Sequence, residues 1–273
     1  MFYHLFLLLF FSLLDGGDIK VISYNIRYDN PNDGINVWEN RKYTISTFLN
    51  NQKPGLIGFQ EVTHSQLLFL TNELSSYEFI GVGRDDGKTK GEYSPIFYNK
   101  NNFRLISQNT FWLSQTPEKT SVGWDASMER ICTYGLIEDK RSKKRILVFN
   151  THLDHIGKKA RVKSIELILD TIEKLNEEDN PIILSGDFNL EDHTKPIKEL
   201  QKTFNDVQEG ISKSMKSYGT FNGFKKNLTQ KKRIDYIFTK KLKIKKASHE
   251  LVYTPKMEWA SDHHPVLAIL KYQ

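Results

Sequence analysis

The chain has 273 residues, of which 38% are hydrophobic and 26% charged, and its formal net charge is +6. This is ordinary globular composition, sufficient for one large core, and no repeat or Pro/Gly-rich linker divides the sequence, so we expect one domain. Cys132 is the only cysteine, which excludes an intramolecular disulfide and a cysteine metal cluster.

Residues 1–14 are almost entirely apolar. This run is too short for a comfortable membrane span, and it resembles the apolar region of a secretory signal peptide. It lacks the early basic residues and the small-residue cleavage site typical of such peptides, so a mis-called start and a membrane-peripheral leader stay open as alternatives. We expect residues 1–17 to be a signal peptide, residues 18–273 to form the folded domain, and the protein to be secreted or held in the periplasm or cell envelope.

The first half of the chain predicts strands interleaved with helices. Short apolar runs bounded by turn residues predict strands, and apolar residues at helical spacing predict helices. The predicted strands are 19–24, 56–59, 79–82, 95–98, 103–113 and 131–137. One helix is predicted over 38–50, and a second carries Leu67, Leu70 and Leu74 after a capping box formed by Thr63 and Gln66.

The second half continues this pattern. Apolar residues at helical spacing predict a helix over 158–175, and a shorter helix is predicted over 194–202. Further strands are predicted at 146–149, from 182 onward, at 233–238 and at 267–270, and residues 212–227 are predicted to form a polar loop. The whole pattern favours an α/β architecture.

A basic region spans residues 231–246, with eight Lys or Arg against one acid. Two interpretations stay open: a solvated strand-and-loop face, or a surface that attracts a polyanionic substrate or an anionic membrane.

The strand that begins at Ile182 ends in Gly186-Asp187-Phe188-Asn189. If the strand continues through these residues, Asp187 and Asn189 point to one face. A carboxylate and an amide oxygen held in this way suit a hard cation and an attacking water. For Gly-Asp alone, a polar turn after a strand would be the simpler interpretation.

Five more polar clusters stand next to apolar strands, at 23–27, 59–62, 150–155, 233–238 and 261–266. They contain Asn25, Glu61, His152, Asp235 and His263. With the cluster around Asp187, their order and spacing resemble the endonuclease/exonuclease/phosphatase superfamily. The resemblance covers the chain from about residue 19 to residue 270, nearly everything after the leader.

This resemblance implies a DNase I-like fold and a metal-dependent phosphoesterase. The fold would be a four-layer α/β sandwich of two packed mixed β-sheets flanked by helices, with the motif loops at one rim. The cofactor would be Mg²⁺, with Mn²⁺ or Ca²⁺ as alternatives. Glu61 would be the main metal ligand, with Asn25 beside it and Asp262 as a second acid on the metal side.

The resemblance also assigns catalytic roles. Asp187 would position or deprotonate the attacking water, and Asn189 would contact the phosphate or the water. His152 would act on the phosphate or the leaving group. Asp235 and His263 suggest an acid–imidazole pair by their residue types alone, in which the carboxylate fixes the tautomer of the ring. In the family the matching histidine acts at the phosphate.

Three arginines are candidates for binding phosphate oxygens, since guanidinium forks suit them: Arg27, Arg41 and Arg130. A surface ion pair is the alternative for each. Asp154, with His155, belongs either to the substrate site or to a plain loop. Arg27 stands where abasic-site endonucleases have an acid, which counts against that repair activity.

The sequence leaves the substrate open between nucleic acid, a phospholipid head group and a small sugar or inositol phosphate. We therefore expect the binding partner to be a phosphate ester, and nucleic acid and a membrane surface both stay open as possible partners. We also expect the protein to be a monomer. The alternative from another functional class is a catalytically silent phosphate- or lipid-binding protein on the same fold.

Overall fold

The computed structural model describes residues 17–210, 219–226 and 232–273. Within these residues the chain forms two six-stranded sheets and four α-helices. The strands are β1 (Asp18–Asn25), β2 (Leu56–Gln60), β3 (Tyr77–Ile80), β4 (Ile96–Asn99), β5 (Phe103–Trp112), β6 (Ile131–Asp139), β7 (Arg145–His152), β8 (Ile182–Asp187), β9 (Asn205–Asp206), β10 (Asp235–Lys240), β11 (Leu242–His249) and β12 (Val266–Tyr272). The helices are α1 (Trp38–Gln52), α2 (His64–Glu73), α3 (Lys158–Leu175) and α4 (Lys195–Thr203), with short 3-10 turns at Gly34–Asn36 and Val207–Gly210.

Both sheets are mixed. The first has the order β11-β12-β1-β2-β4-β3, and the second has the order β5-β6-β7-β8-β10-β9. Each contains one central parallel pair, β1 with β2 and β7 with β8, while the other neighbours are antiparallel. This confirms the predicted α/β sandwich of two mixed sheets.

Three apolar clusters hold the layers together. One fills the space between the sheets, a second packs α1 and α2 on the outer face of the first sheet, and a third packs α3 and α4 on the outer face of the second. Strand β1 shows how its sequence serves two layers: Ile19 and Val21 face the other sheet, while Ile22 and Tyr24 face the helices. Alternation along the strand produces this division.

The central strands bring their polar ends to one rim. The parallel pairs end at the same edge, so Asn25, His152 and Asp187 finish β1, β7 and β8 together. Strand β10 runs antiparallel to β8, with Asp235 opposite Asp187. Strand β12 runs antiparallel to β1, so His263, just before it, reaches the same rim.

A buried polar network ties the sheets together just below this rim. Gln60 on β2 donates from Nε2 to Oδ1 of Asn150 on β7, at 2.7 Å. Asn150 donates in return to the carbonyls of Phe59 (2.7 Å) and Pro95 (3.1 Å). Both amide side chains are fully buried. Because buried polar groups are costly unless paired, this network fixes how the two sheets meet.

Local sequence signals were accurate for several elements. The capping box of Thr63 and Gln66 is present at the start of α2, and α3 has the bounds that were predicted. The prediction that β8 continues through Asn189 was wrong. The strand ends at Asp187, and Asn189 lies in the left-handed region with φ 49°. Asn189 therefore reaches the rim from a turn and not by strand alternation.

Strand β11 is not among the strands predicted from the sequence. The basic region that contains its lysines was interpreted either as a solvated strand-and-loop face or as a surface that attracts a polyanion or an anionic membrane. In the structure Leu242 is buried against the core between the sheets, while Lys243 and Lys246 are exposed. It lies at the edge of the first sheet, where charged side chains are common because they block edge-to-edge pairing.

The leader lies outside the described residues, as do positions 212–218 and 227 of the predicted loop. Cys132 is buried, as expected, and burial raises the pKa of its thiol. None of the helices in the described parts of the chain is both long and apolar enough to cross a bilayer.

Candidate active site

An aspartate and a histidine form a close pair at the rim. Oδ2 of Asp235 lies 2.8 Å from Nδ1 of His263, and both side chains are almost fully buried. Burial alone would lower the pKa of His263, but the carboxylates of Asp235, Asp187 and Asp262 outweigh it and raise the pKa to about 10. At neutral pH the ring is therefore a cation that donates from Nδ1 to Asp235.

Asp187 lies next to this cation. Its Oδ2 is 3.8 Å from Nε2 of His263, and it accepts from Nδ2 of Asn25 at 3.1 Å. Its Oδ1 accepts from the backbone N–H of Asn189 at 2.9 Å. Burial, and then the charge of Asp235, raise the pKa of Asp187 to about 7, although His263 and the hydrogen bonds oppose the rise. A carboxylate with a pKa near neutral is suited to accept a proton from water.

His152 is held in one tautomer by Asn189. Nδ2 of Asn189 donates to the carbonyl of Leu153 at 3.0 Å and lies 3.1 Å from Nε2 of His152. Because a carbonyl can only accept, Nε2 of His152 is the acceptor and its proton sits on Nδ1. Burial, followed by the charges of Arg130 and Arg84, holds the pKa of His152 well below its usual value, so the ring is neutral.

Glu61 follows β2 in a left-handed conformation, with φ 60°. Its Oε2 accepts from the backbone N–H of Tyr28 at 3.1 Å, and its Oε1 accepts from Nδ2 of Asn25 at 3.0 Å. Oδ1 of Asn25 accepts from the N–H of Arg27, which fixes the amide with its NH₂ toward Glu61 and Asp187. In this arrangement the NH₂ group of Asn25 orients the two acids, and its expected place beside the metal stays a prediction.

The acids at the rim fit a hard divalent cation. Burial raises the pKa of Asp262; the positive charge of His263 opposes this rise and the negative charge of Glu61 adds to it. Carboxylates that repel one another in a mostly buried site are the oxygen ligands that Mg²⁺ takes. Ligand atoms of Asp187, Asp235 and His263 also lie within 4.8 Å of one another, but Asp235 and Nδ1 of His263 are already paired with each other at 2.8 Å. Glu61 and Asp262 are therefore the better-fitting pair.

Arg27 lines the cavity at the rim. Its Nε and Nη2 bind Asp33 at 2.9 and 3.0 Å, and its Nη1 lies 3.9 Å from Oε2 of Glu61. The hydrogen bond with Asp33 is the main reason that the pKa of Arg27 is raised. Nε and Nη2 of Arg27 are thus hydrogen-bonded to Asp33, and Nη1 faces Glu61.

Arg41, in contrast, stabilises the fold through hydrogen bonds to the backbone. It is 1% exposed and donates to the carbonyls of Asn36, Ile26, Ala260 and Arg27, at 2.5 to 3.2 Å. Each of its three side-chain nitrogens donates to backbone, so the interpretation of Arg41 as a phosphate ligand was wrong. It joins α1 to the ends of the strand segments that carry the rim residues.

Asp154 organises a loop and does not line the cavity. Its Oδ1 accepts from the backbone of Gly157 at 2.6 Å, and its Oδ2 accepts from Oγ of Ser127 at 2.7 Å and from Nε of Arg130 at 3.3 Å. Although burial opposes it, these partners hold the pKa of Asp154 well below its usual value. Asp154 thereby positions Arg130, which does line the cavity and whose Nη2 lies 3.0 Å from Nδ1 of His155.

The cavity has a volume of about 510 Å³. Of the expected site residues, eight lie on its wall: Arg27, Glu61, Arg130, His152, Asp187, Asn189, Asp262 and His263. Asp235 does not line the cavity but lies behind His263, its hydrogen-bond partner. Several other residues on the wall were not predicted to belong to the site: Tyr28, Arg84, Glu92, Met128, Phe221, Lys232 and Ile234.

Arg84 and Glu92 stand out among these additional residues. Nη1 and Nη2 of Arg84 donate to the two carboxylate oxygens of Glu92 at 2.8 and 3.0 Å. Both residues lie in a charged, glycine-containing segment between two predicted strands. An Arg and a Glu at opposite ends of that segment were a weak signal, because nothing local indicates that the segment folds toward the rim.

Comparisons with known proteins agree with this geometry. The model of the endonuclease/exonuclease/phosphatase family matches residues 22–263. A solved endonuclease/exonuclease/phosphatase from Bacteroides vulgatus is 35% identical, with a TM-score of 0.88 over 94% of this chain and 99% of that one. A mannosyl-6-phosphatase from Bacteroides thetaiotaomicron is 34% identical, with a TM-score of 0.88 over 93% of this chain and 100% of that one. The human Nocturnin catalytic domain is 20% identical, with a TM-score of 0.73 over 94% of this chain and 95% of that one, which is a likeness of fold.

Proposed function

Since the chain belongs to the endonuclease/exonuclease/phosphatase family, whose members are phosphoesterases, we propose that it hydrolyses small phosphate monoesters with Mg²⁺ as its cofactor. One observation carries this proposal. The imidazolium of His263, the carboxyl of Asp187 and the acids Glu61 and Asp262 all line a single cavity. Together they supply a cation for the phosphate, an acceptor for the proton of water, and ligands for a metal.

The protein's own residues divide the work as follows. His263, held by Asp235, places a positive charge where the phosphate oxygens gain negative charge in the transition state. Asp187 accepts the proton of the attacking water. His152 and Asn189 form a neutral hydrogen-bonding pair that contacts the phosphate or the leaving oxygen.

Glu61 and Asp262 would hold the metal, and Asn25 keeps Glu61 in place. When bound, Mg²⁺ polarises a phosphoryl oxygen and neutralises charge on the phosphate. The family relationship and the acidic donor set support a divalent cation of this kind, with Mn²⁺ or Ca²⁺ as the alternatives.

A small monoester is favoured over nucleic acid and phospholipid. One similar structure that is named for an activity is the mannosyl-6-phosphatase, which is 34% identical and matches this chain along almost its full length. A cavity of about 510 Å³ also accommodates a small ester. We further propose that the enzyme works as a monomer outside the cytoplasm; the expected signal peptide supports this location.

The full chain should be freed of metal with EDTA and assayed for phosphate release as Mg²⁺, Mn²⁺ or Ca²⁺ is restored. The substrates are mannose 6-phosphate, p-nitrophenyl phosphate and bis(p-nitrophenyl) phosphate. We expect the two monoesters to be hydrolysed faster than the diester, and only with metal. A preference for the diester would overturn the monoester assignment, and binding without turnover of any ester would support the catalytically silent alternative.

A further inference from the structure

One part of the cavity wall comes from loops and not from the strand ends that carry the reacting groups. It consists of Arg84, Glu92, Arg130 and His155, which we call the loop wall. Arg84 and Glu92 form a two-pronged ion pair at 2.8 and 3.0 Å, and Arg130 contacts His155 at 3.0 Å. The reacting groups need none of these residues for the chemistry described above, so the loop wall is placed to contact the rest of the substrate.

The charges of the loop wall cancel. The guanidinium of Arg84 is paired with Glu92, and that of Arg130 is paired with the fully buried Asp154. The loop wall therefore offers several hydrogen-bond donors and acceptors but no surplus of positive charge. A second phosphate held against the loop wall would lose its hydration without gaining an unpaired cation from the loop wall, which is unfavourable; Lys232 lies on another part of the cavity wall.

The Arg84–Glu92 pair is also held in place. Nε1 of Trp112 donates to the backbone carbonyl of Arg84 at 2.7 Å, and Nη2 of Arg84 lies 3.1 Å from Sδ of Met128. An ionised carboxylate has about four acceptor positions, and Arg84 occupies only one on each oxygen of Glu92. The remaining positions can accept from hydroxyl groups, while neighbouring guanidinium N–H groups can donate to them.

We propose that the Arg84–Glu92 pair is the specificity-determining contact for the leaving group. This proposal rests on the proposed phosphoesterase function. The pair selects an uncharged, hydroxyl-rich alcohol, such as a sugar or polyol, over an alcohol that carries a second phosphate. Hydroxyl groups both donate and accept, so they match a wall of paired charges, whereas an aryl leaving group leaves those groups without partners.

The test compares kcat/KM for three esters: fructose 6-phosphate, fructose 1,6-bisphosphate and p-nitrophenyl phosphate. The wild-type protein should prefer the monophosphate to the bisphosphate. In Glu92→Gln the ratio of kcat/KM for fructose 6-phosphate to that for p-nitrophenyl phosphate should fall about tenfold or more, mainly through KM, which is the size expected for losing a charged hydrogen-bond acceptor. Comparing this ratio between the variant and the wild-type protein cancels the difference in leaving-group reactivity between the two esters. It also cancels any effect of the substitution on the phosphate, which both esters share.

The matched control is Glu138→Gln. Glu138 also accepts from one arginine on both oxygens, at 3.0 and 3.1 Å, but it lies on β6, away from the cavity wall. For Glu138→Gln, the ratio of kcat/KM for fructose 6-phosphate to that for p-nitrophenyl phosphate should stay at the wild-type value. If Glu92→Gln does not fold, Arg84→Lys keeps the charge and removes the two-pronged geometry, and the ratio must fall for this variant as well.

Each outcome separates the inference from the function on which it rests. A lower ratio in the Glu92 variant with an unchanged control supports the inference. If Glu92→Gln lowers kcat/KM equally for fructose 6-phosphate and p-nitrophenyl phosphate, the inference is overturned while the phosphoesterase function stays intact. A wild-type preference for the bisphosphate would have the same consequence. Absence of turnover on all three esters by the wild-type protein would instead overturn the proposed function.

Discussion

The hydrogen bond between Asp235 and His263 joins the two sheets of the sandwich. Asp235 begins β10 of the second sheet, and His263 lies in the loop just before β12 of the first, yet Oδ2 and Nδ1 lie 2.8 Å apart. The other carboxylate oxygen of Asp235, Oδ1, is buried without a hydrogen-bond partner among the described residues. The pair is therefore not a local feature of either sheet, and its geometry depends on how the sheets are packed.

This pair predicts a non-additive mutant cycle. His263→Ala should lower kcat/KM by about 10²–10⁴-fold, the usual range for losing an acid–base group. Asp235→Asn should also be severely impaired, because it removes the charge that keeps the His263 ring protonated and oriented. The double variant should be little worse than His263→Ala alone, since residues that act as a unit are not additive.

Kinetics and melting temperatures of the three variants check this prediction. His64→Ala provides a control, because His64 contacts a tyrosine hydroxyl at 3.1 Å and does not line the cavity. The single variants should melt near the wild-type temperature. Losses that multiply in the double variant would show that the two residues act independently.

A second prediction concerns metal binding by Glu61. Glu61→Gln keeps an oxygen that can accept from the backbone of Tyr28, so the local fold should survive, but it removes the negative charge. The Mg²⁺ concentration for half-maximal turnover should rise by about 10–100-fold or more, since even residues that only support metal ligands cost that much. A Mg²⁺ titration of turnover measures this. Unchanged metal dependence would remove Glu61 from the metal site.

The sequence indicated the rim well but not its loops. Asp187 and Glu61 each follow an apolar run, and strand ends in a sandwich of parallel pairs meet at one rim, so local pattern and resemblance were sufficient to place them. Arg41 and Asp154 could not be interpreted in this way. Their partners are mostly backbone groups of loops, and only the tertiary fold determines which carbonyls or N–H groups lie within reach.

A third prediction follows from Asp154. The pKa of its carboxyl is depressed in the folded state, so its contribution to stability is present above the unfolded pKa of about 3.9 and is lost as the pH falls through the lower folded value. At pH 7, Asp154→Asn should lower the free energy of unfolding by about 1–3 kcal/mol. The difference from wild type should stay level down to about pH 5 and narrow below about pH 4.

Denaturant unfolding at several pH values measures this difference. Asp170→Asn, at an exposed position of α3, is the control and should differ little from wild type at any pH. A gap that widens as the solution becomes more acidic would contradict the assigned direction of the pKa shift.

A fourth prediction tests the polar network between the sheets. A Cβ added at Gly58 would lie 2.5 Å from Oδ1 of Asn150 and 2.5 Å from Oγ of Ser185, both on the facing sheet. Gly58→Ala should therefore destabilise the fold by about 1–3 kcal/mol, the range for overpacking a core. Gly17→Ala is the matched control, because nothing lies within 4 Å of its added Cβ. Equal melting temperatures for the two variants would contradict a tightly packed contact at Gly58.

The last prediction concerns processing of the apolar leader. If residues 1–14 act in a signal peptide, the mature protein should begin close to Asp15–Ile19. The fold narrows this interval, because Asp18 and Ile19 pair with Lys271 and Leu270 at the start of β1. Cleavage before Asp18 keeps this pairing and the ion pair between Asp18 and Lys245, whereas cleavage after Ile19 would remove both. Intact-mass measurement of the protein recovered from its native host should therefore place the first residue between 15 and 18, and retention of Met1 would contradict secretion through a cleaved signal.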